Sequence, residues 1–110
     1  MTLGEFEYLL ITAAATLGDN AYGAAMREAI MQATDRSCSI GALYTTLDRL
    51  EAKGLVRTWM ADGTPERGGR SRRMVRVTPA GKAAARDFYH AIIRISNQAP
   101  WATPHPGDAG

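Results

Sequence analysis

The sequence predicts a mainly helical domain in which three helices are followed by a two-stranded β-hairpin and closed by a fourth, longer helix. Three observations predict it. Apolar residues recur at helical spacing in three stretches before residue 54. The two segments after them alternate with the period of a strand. Thr78-Pro79 then opens a last apolar stripe.

The first helix starts from "TLGE", where Thr2 as N-cap and Glu5 at the third helical position have the spacing of a capping box. Leu3, Phe6, Leu9, Leu10, Ala13 and Leu17 carry its apolar face, so it runs to about Leu17. Gly18-Asp19-Asn20 stops it and caps the next helix, expected over about 21–34 with Met26, Ala29, Ile30 and Ala33 on one side. Gly23 falls in the first turn of that helix, where the missing side chain permits close helix contact.

"SIGALYTTLDRLEAKGLV" is the clearest segment. Ser39 is the expected N-cap, and Ile40, Leu43, Leu47 and Leu50 line up as one apolar stripe. Lys53 and Gly54 end the third helix with a basic last turn and a glycine. The strands are expected at Val56–Asp62 and Arg72–Thr78, joined by a hairpin loop from Gly63 to Gly69 that contains Pro65. In the second strand Arg73, Val75 and Val77 share one face and Arg72, Met74 and Arg76 the other. The fourth helix takes Thr78 as N-cap and Pro79 as first residue and runs to about Asn97. Ala84, Phe88, Ile92 and Ile95 form its apolar face, with Ala85, Tyr89 and Ile93 beside it. The last segment, "APWATPHPGDAG", is rich in Pro and Gly and reads as a disordered tail.

Charge is distributed unevenly. Residues 1–35 carry one base against five acids and residues 36–86 eleven bases against four, although the whole chain is only +2. Five arginines fall within "ERGGRSRRMVR" alone, at residues 66–76. Such polarity presents one basic surface, for which a polyanion is the commonest partner and a solvated face the plain alternative.

Other classes find little support. The single cysteine, Cys38, excludes an internal disulfide and suits a reducing compartment; as a thiol it reads as buried and inert rather than as a redox switch. The longest apolar run, Tyr8–Leu17, is far short of the ~20 residues that span a bilayer. Glu5 and Glu7 precede it where a secretory leader would be basic, so a cytoplasmic protein with no membrane partner is expected. His90, His105 and Cys38 lack metal-ligand spacing, so no metal is expected. No phosphate loop or nucleophile elbow occurs, so neither an enzyme nor a cofactor is expected. "RGG" at Arg67–Gly69 is one copy between two strands, unlike the repeats of disordered RNA-binding segments.

Three helices and then a hairpin is the order of a winged helix-turn-helix, with the third helix as recognition helix and the hairpin as wing. Ser39, Gly41, Ala42, Thr45 and Thr46 are small enough to bring that helix close to base edges, and Arg49 and Lys53 lie where phosphates run. Arg70, Arg72 and Arg73 of the wing suit phosphate or minor-groove contact. Trp59, on the opposite face of its strand from Val56 and Met60, is expected to pack against a helix.

At these residues the chain resembles the PadR-like transcriptional regulators of bacteria and archaea. The matching stretches are "YGAAMREAI" (Tyr22–Ile30), "SIGALYTTLDRLEAKGLV" (Ser39–Val56) and "GGRSRRMVRVTPAG" (Gly68–Gly81), and the likeness covers roughly residues 3–95. It implies a homodimeric winged-helix repressor, in a family whose members often respond to small molecules and dimerise through the C-terminal helix. It also implies that Tyr44 holds the family's aromatic position in the recognition helix, and that Gly68, Gly69, Arg70, Arg72 and Arg73 form its basic Gly-Gly wing. The chain departs from the pattern at Met74-Val75, where aromatic residues are frequent, and in its single C-terminal helix, which makes it a short form. Tyr44 itself has two readings, a DNA contact or a half-buried core tyrosine.

The expected organisation is therefore a winged helix-turn-helix DNA-binding domain over 1–78, a dimerisation helix over 79–97 and a tail over 98–110. Leu3 and Phe6 are expected to join Ala84, Phe88, Ile92 and Ile95 in a homodimer surface, because a terminal helix of this length is marginal unless packed. The expected partner is double-stranded DNA with a roughly palindromic operator, and the expected role is repression of the target promoter. A small hydrophobic effector is expected between the fourth-helix faces and the first helix at the dimer centre. The rival reading is a winged-helix adaptor whose basic wing binds an acidic protein.

Overall fold

The computed structural model describes residues 3–62 and 71–102. Among these residues the elements are α1 (Glu5–Leu17), a 3-10 turn (Gly18–Asn20), α2 (Gly23–Thr34), α3 (Ile40–Ala52), β1 (Val56–Ala61), β2 (Arg72–Val77) and α4 (Pro79–Ser96). The strands pair antiparallel, with Val56 opposite Val77, Thr58 opposite Val75 and Met60 opposite Arg73. Alternation then puts Val56, Val75 and Val77 into a core completed by Leu10 and Ile11 of α1, Met26 and Ile30 of α2, and Leu43, Leu47 and Leu50 of α3. Leu10, Leu43, Leu47 and Leu50 are wholly buried.

The ends of the elements differ from expectation for local reasons. Gly4, not Thr2, is the N-cap of α1, and Glu5 is its first residue rather than its third. The carboxylate that reaches back is that of Glu7, which accepts from the Gly4 N–H at 2.8 Å and from Lys53 Nζ at 2.7 Å. Thr2 lies outside the described residues. Asn20 does not cap α2, because Ala21 and Tyr22 stay extended beside β2. The Val75 N–H donates to the Ala21 carbonyl at 2.9 Å, Tyr22 bridges Met74, and the helix begins at Gly23. This second pairing left no trace in the alternation pattern.

Ile40, placed in the apolar stripe of the third helix, is 42% exposed, since it is the first helical residue and lies beyond the core. β1 ends at Ala61 and β2 at Val77, one residue short of expectation in each case, and α4 ends at Ser96 with Asn97 as C-cap. Trp59 pairs with Met74 on the outer face of the hairpin and is 42% exposed there, rather than packed beneath a helix. The loop Gly63–Gly69, including the Gly68-Gly69 pair, and Arg70 lie outside the described residues. The tail opens with two hydrogen-bonded turns, Ala99 N–H to Ser96 O and Ala102 N–H to Ala99 O; residues 103–110, His105 among them, are again outside.

The joint between hairpin and α4 is closely fitted. The Thr78 hydroxyl accepts from the Gly81 N–H at 3.0 Å as the α4 cap and donates to the Gly54 carbonyl at 2.7 Å. The Thr78 N–H donates to the Leu55 carbonyl. A Cβ on Gly81 would stand 2.0 Å from Leu55 O, so only glycine fits there.

Candidate nucleic-acid interface

The first turns of α3 present a low, open surface. Ser39 caps the helix, its hydroxyl oxygen accepting from the Ala42 N–H at 3.0 Å. Gly41, Ala42 and Thr45 are exposed, and nothing lies within 4 Å of a Cβ built on Gly41. Thr46 is a correction: it is only 7% exposed, and its hydroxyl donates to the Ala42 carbonyl at 2.9 Å. It adjoins Leu47 on the core side, so a base edge has no access to it.

Tyr44 is half-buried between helices. Its ring lies against Gly23 of α2, where an added Cβ would meet the Tyr44 hydroxyl at 2.7 Å. The ring thus packs on α2, while the residue keeps part of its surface open. Further along α3, Arg49 is exposed, whereas Lys53 turns back to Glu7 of α1. Lys53, expected to meet phosphate, is therefore engaged with α1 in this structure. Burial of Glu7 by itself would raise its carboxyl pKa. The Lys53 hydrogen bond, the Gly4 N–H and the charges of Lys53 and Arg49 outweigh that and hold it below the ordinary 4.5.

The arginines of β2 are divided by the pleat. Arg72 points outward with its guanidinium 4.3 Å from the centre of the Tyr22 ring, a cation–π stack. Arg76 is exposed and pairs with Asp19 at 3.2 Å. Arg73 points inward with the valines. Its side chain is 19% exposed, and it pairs with Asp48 at 2.7 Å and Glu51 at 3.5 Å, both on α3. Arg73, expected at phosphate or minor groove, is here engaged by these two acids.

The expected dimer surface also divides. Leu3 is 6% exposed within its own core and has little area left for a partner, which corrects its assignment. Phe6, Ala84 and Phe88 are half-buried, with the Phe88 ring stacked on Tyr8 of α1 at 4.8 Å. Beyond Phe88, among the described residues, Tyr89, Ile92, Ile93 and Ile95 of α4 are exposed, Ile95 at 81%. Between α1 and α4 runs an open groove of about 310 Å³, bordered by Ile11, Thr12, Ala15, Lys82, Ala85 and Arg86. Cys38 is half-buried and its carbonyl accepts from Arg27 Nε at 2.6 Å. Among the described residues there is no cluster of His, Cys, Asp or Glu able to hold a metal ion, and no helix long and apolar enough to cross a membrane.

Residues that the sequence did not single out complete the surface. Tyr22 carries Arg72, and Asp48, Glu51 and Thr58 hold Arg73 and β1. Their signal is visible only once the pairing of β1 with β2 and the flank of α3 are known together.

Comparison with known proteins agrees with this geometry. The model of the Transcriptional regulator PadR-like family matches residues 14–87. Transcriptional regulator Rv3488 of Mycobacterium tuberculosis is 36% identical over 74 residues, which take in 66% of this chain and 64% of that protein's length. Among solved structures, F93 from STIV, a winged-helix DNA-binding protein, matches with a TM-score of 0.70 at 17% identity, over 89% of this chain and 98% of that one. A PadR family transcription regulator from hypervirulent Clostridium difficile R20291 matches with a TM-score of 0.62 at 24% identity, over 86% and 97%. The two structural likenesses establish the winged-helix fold.

Proposed function

This chain belongs to the PadR-like family of transcriptional regulators, and on that premise we propose that it binds double-stranded DNA as a homodimer and represses its target promoter. One observation carries the reading: the small exposed side of the first turns of α3, at Gly41, Ala42 and Thr45, followed by the exposed Arg49, together with the outward Arg72 of the wing. Such a helix enters the major groove closely, while the arginines meet the backbone. Ser39 lies at its entry, and Arg70, outside the described residues, joins these contacts in the proposal. The family is one of regulators rather than enzymes, and F93, which shares the fold, is described as a DNA-binding protein.

Dimerisation is supported by the apolar second half of α4, where Ile92 and Ile95 stand exposed and continue the stripe of the half-buried Ala84 and Phe88; Phe6 of α1 is half-buried as well. Two-fold pairing gives an operator of roughly palindromic form, with half-sites about one helical turn or a multiple of it apart. The groove between α1 and α4 supports a small hydrophobic effector that changes the spacing of the two α3 helices.

Selection of bound duplexes from a random pool tests the reading. A palindromic consensus is expected, with affinity that falls steeply with salt as counterions are released. No binding to any duplex at low salt would overturn it and favour the protein-adaptor alternative. Within the selected site, Thr45→Ala is expected to change the preferred base at one position, whereas loss of the Arg72 contact should weaken all sequences alike.

A further inference from the structure

We propose that Arg73 is a strut that fixes the angle between wing and α3, and that Asp48, an acid on a helix meant for a polyanion, strengthens DNA binding by holding that strut. The inference rests on the DNA-binding reading above and assigns a positioning role to residues other than those proposed to touch DNA.

Geometry supplies the case. Arg73 shares the inward face of β2 with Val75 and Val77, and its side chain is 19% exposed. Nη2 lies 2.7 Å from Asp48 Oδ1, 3.5 Å from Glu51 Oε1 and 3.3 Å from Thr58 Oγ1. The Tyr44 ring centre is 5.7 Å away, and Tyr44 itself rests on Gly23 of α2. Glu51 in turn accepts from the Thr58 N–H at 2.9 Å and from its hydroxyl at 3.0 Å. Two acids three residues apart on α3 therefore hold both strands, Glu51 taking β1 through Thr58, and both acids taking β2 through Arg73. Charge-assisted bonds of this kind fix direction as well as distance. Movement of Arg73 to a phosphate would leave both carboxylates without this cation, facing the same polyanion.

The two possible roles of Asp48 predict opposite signs. Its side chain is 69% exposed. Plain electrostatics makes it repel phosphate, so its removal should tighten binding. A strut-holder gives the reverse, because a swinging wing no longer brings Arg72 to the backbone beside the occupied groove.

The experiment is a double-mutant cycle on the full chain with Asp48→Ala and Arg73→Ala, read as affinity for random-sequence duplex DNA at fixed salt. Alanine favours the helix at position 48, so folding is not at stake there. Asp48→Ala alone is expected to bind about 3- to 10-fold more weakly. In the Arg73→Ala background, where only repulsion remains, the same change should leave affinity unaltered or raise it. Tighter binding by Asp48→Ala in both backgrounds would overturn the proposal. Hydrogen exchange of the β1–β2 amides gives a readout independent of DNA: faster exchange in Asp48→Ala is expected, and unchanged exchange overturns the strut. Failure of the parent chain to bind DNA refutes the functional reading instead, and leaves the strut to be judged by exchange.

Discussion

Tyr44 of α3 and Gly23 of α2 meet so closely that a Cβ on Gly23 would lie 2.7 Å from the Tyr44 hydroxyl and 2.9 Å from the ring. The contact sets how near the two helices of the helix-turn-helix approach, and Arg73 covers the same ring at 5.7 Å from its centre. Tyr44 therefore has little freedom to withdraw.

Gly23→Ala is expected to destabilise the domain by about 1–2 kcal/mol, because overpacking outweighs the gain in helix propensity. Urea unfolding measures it. Tyr44→Phe, which removes the nearest atom, should recover part of the loss; full additivity of the two changes would argue against the contact.

Gly81→Ala should be worse, at about 3 kcal/mol, since the obstructing atom is the backbone carbonyl of Leu55 at 2.0 Å and cannot rotate away. Thr78→Ala loses the α4 cap and the bond to Gly54 and is expected to cost about 1 kcal/mol. Thermal unfolding of both variants orders the two effects.

The Glu7–Lys53 pair makes a pH prediction whose sign is fixed. The Glu7 carboxyl titrates below 4.5 in the folded chain, so its stabilisation is present above the unfolded value and is lost as pH falls through the lowered folded value. Glu7→Gln should therefore be less stable than the parent at neutral pH, and the gap should close in acid. Denaturant midpoints measured from pH 7 down to pH 3 would show it, and a gap that stays constant would contradict the pairing.

Ile92→Asp and Ile95→Asp place charge on the exposed apolar half of α4. On the dimeric reading, sedimentation should show monomers, and the palindromic site should bind at least tenfold more weakly because the half-sites no longer cooperate. A parent chain that sediments as a monomer would remove the basis for both expectations.

Sequence periodicity located four helices and two strands to within two residues at their ends, because each carries a regular apolar stripe, buried in α1, α2, α3 and the strands and half-buried at Ala84 and Phe88 of α4. What escaped depended on pairing across the chain. The Ala21–Val75 hydrogen bond uses backbone groups alone and carries no residue signature. The site was legible as a surface but not residue by residue. Gly41, Ala42 and Thr45 lie where helical spacing put them, yet Thr46, one position on, turns to the core. Arg72 and Arg73 look interchangeable in "SRRMVR", and only the inward direction of Val75 and Val77 separates a cation on Tyr22 from one enclosed by Asp48 and Glu51. Lys53 reads as a basic helix end, but its partner is a carboxylate 46 residues away in sequence.

The Thr78 joint has a bearing on how such a protein can be controlled. Three contacts clamp the start of α4 to Gly54 and Leu55, the residues directly behind α3. The chain is then close to an inflexible bracket, with α3 as one arm and α4 as the other. A bracket that does not bend cannot pass a signal by changing its own shape. In a dimer joined through α4, control reduces to hinging one bracket against its twin, and a few degrees of roll where the isoleucines meet becomes ångströms at the tips.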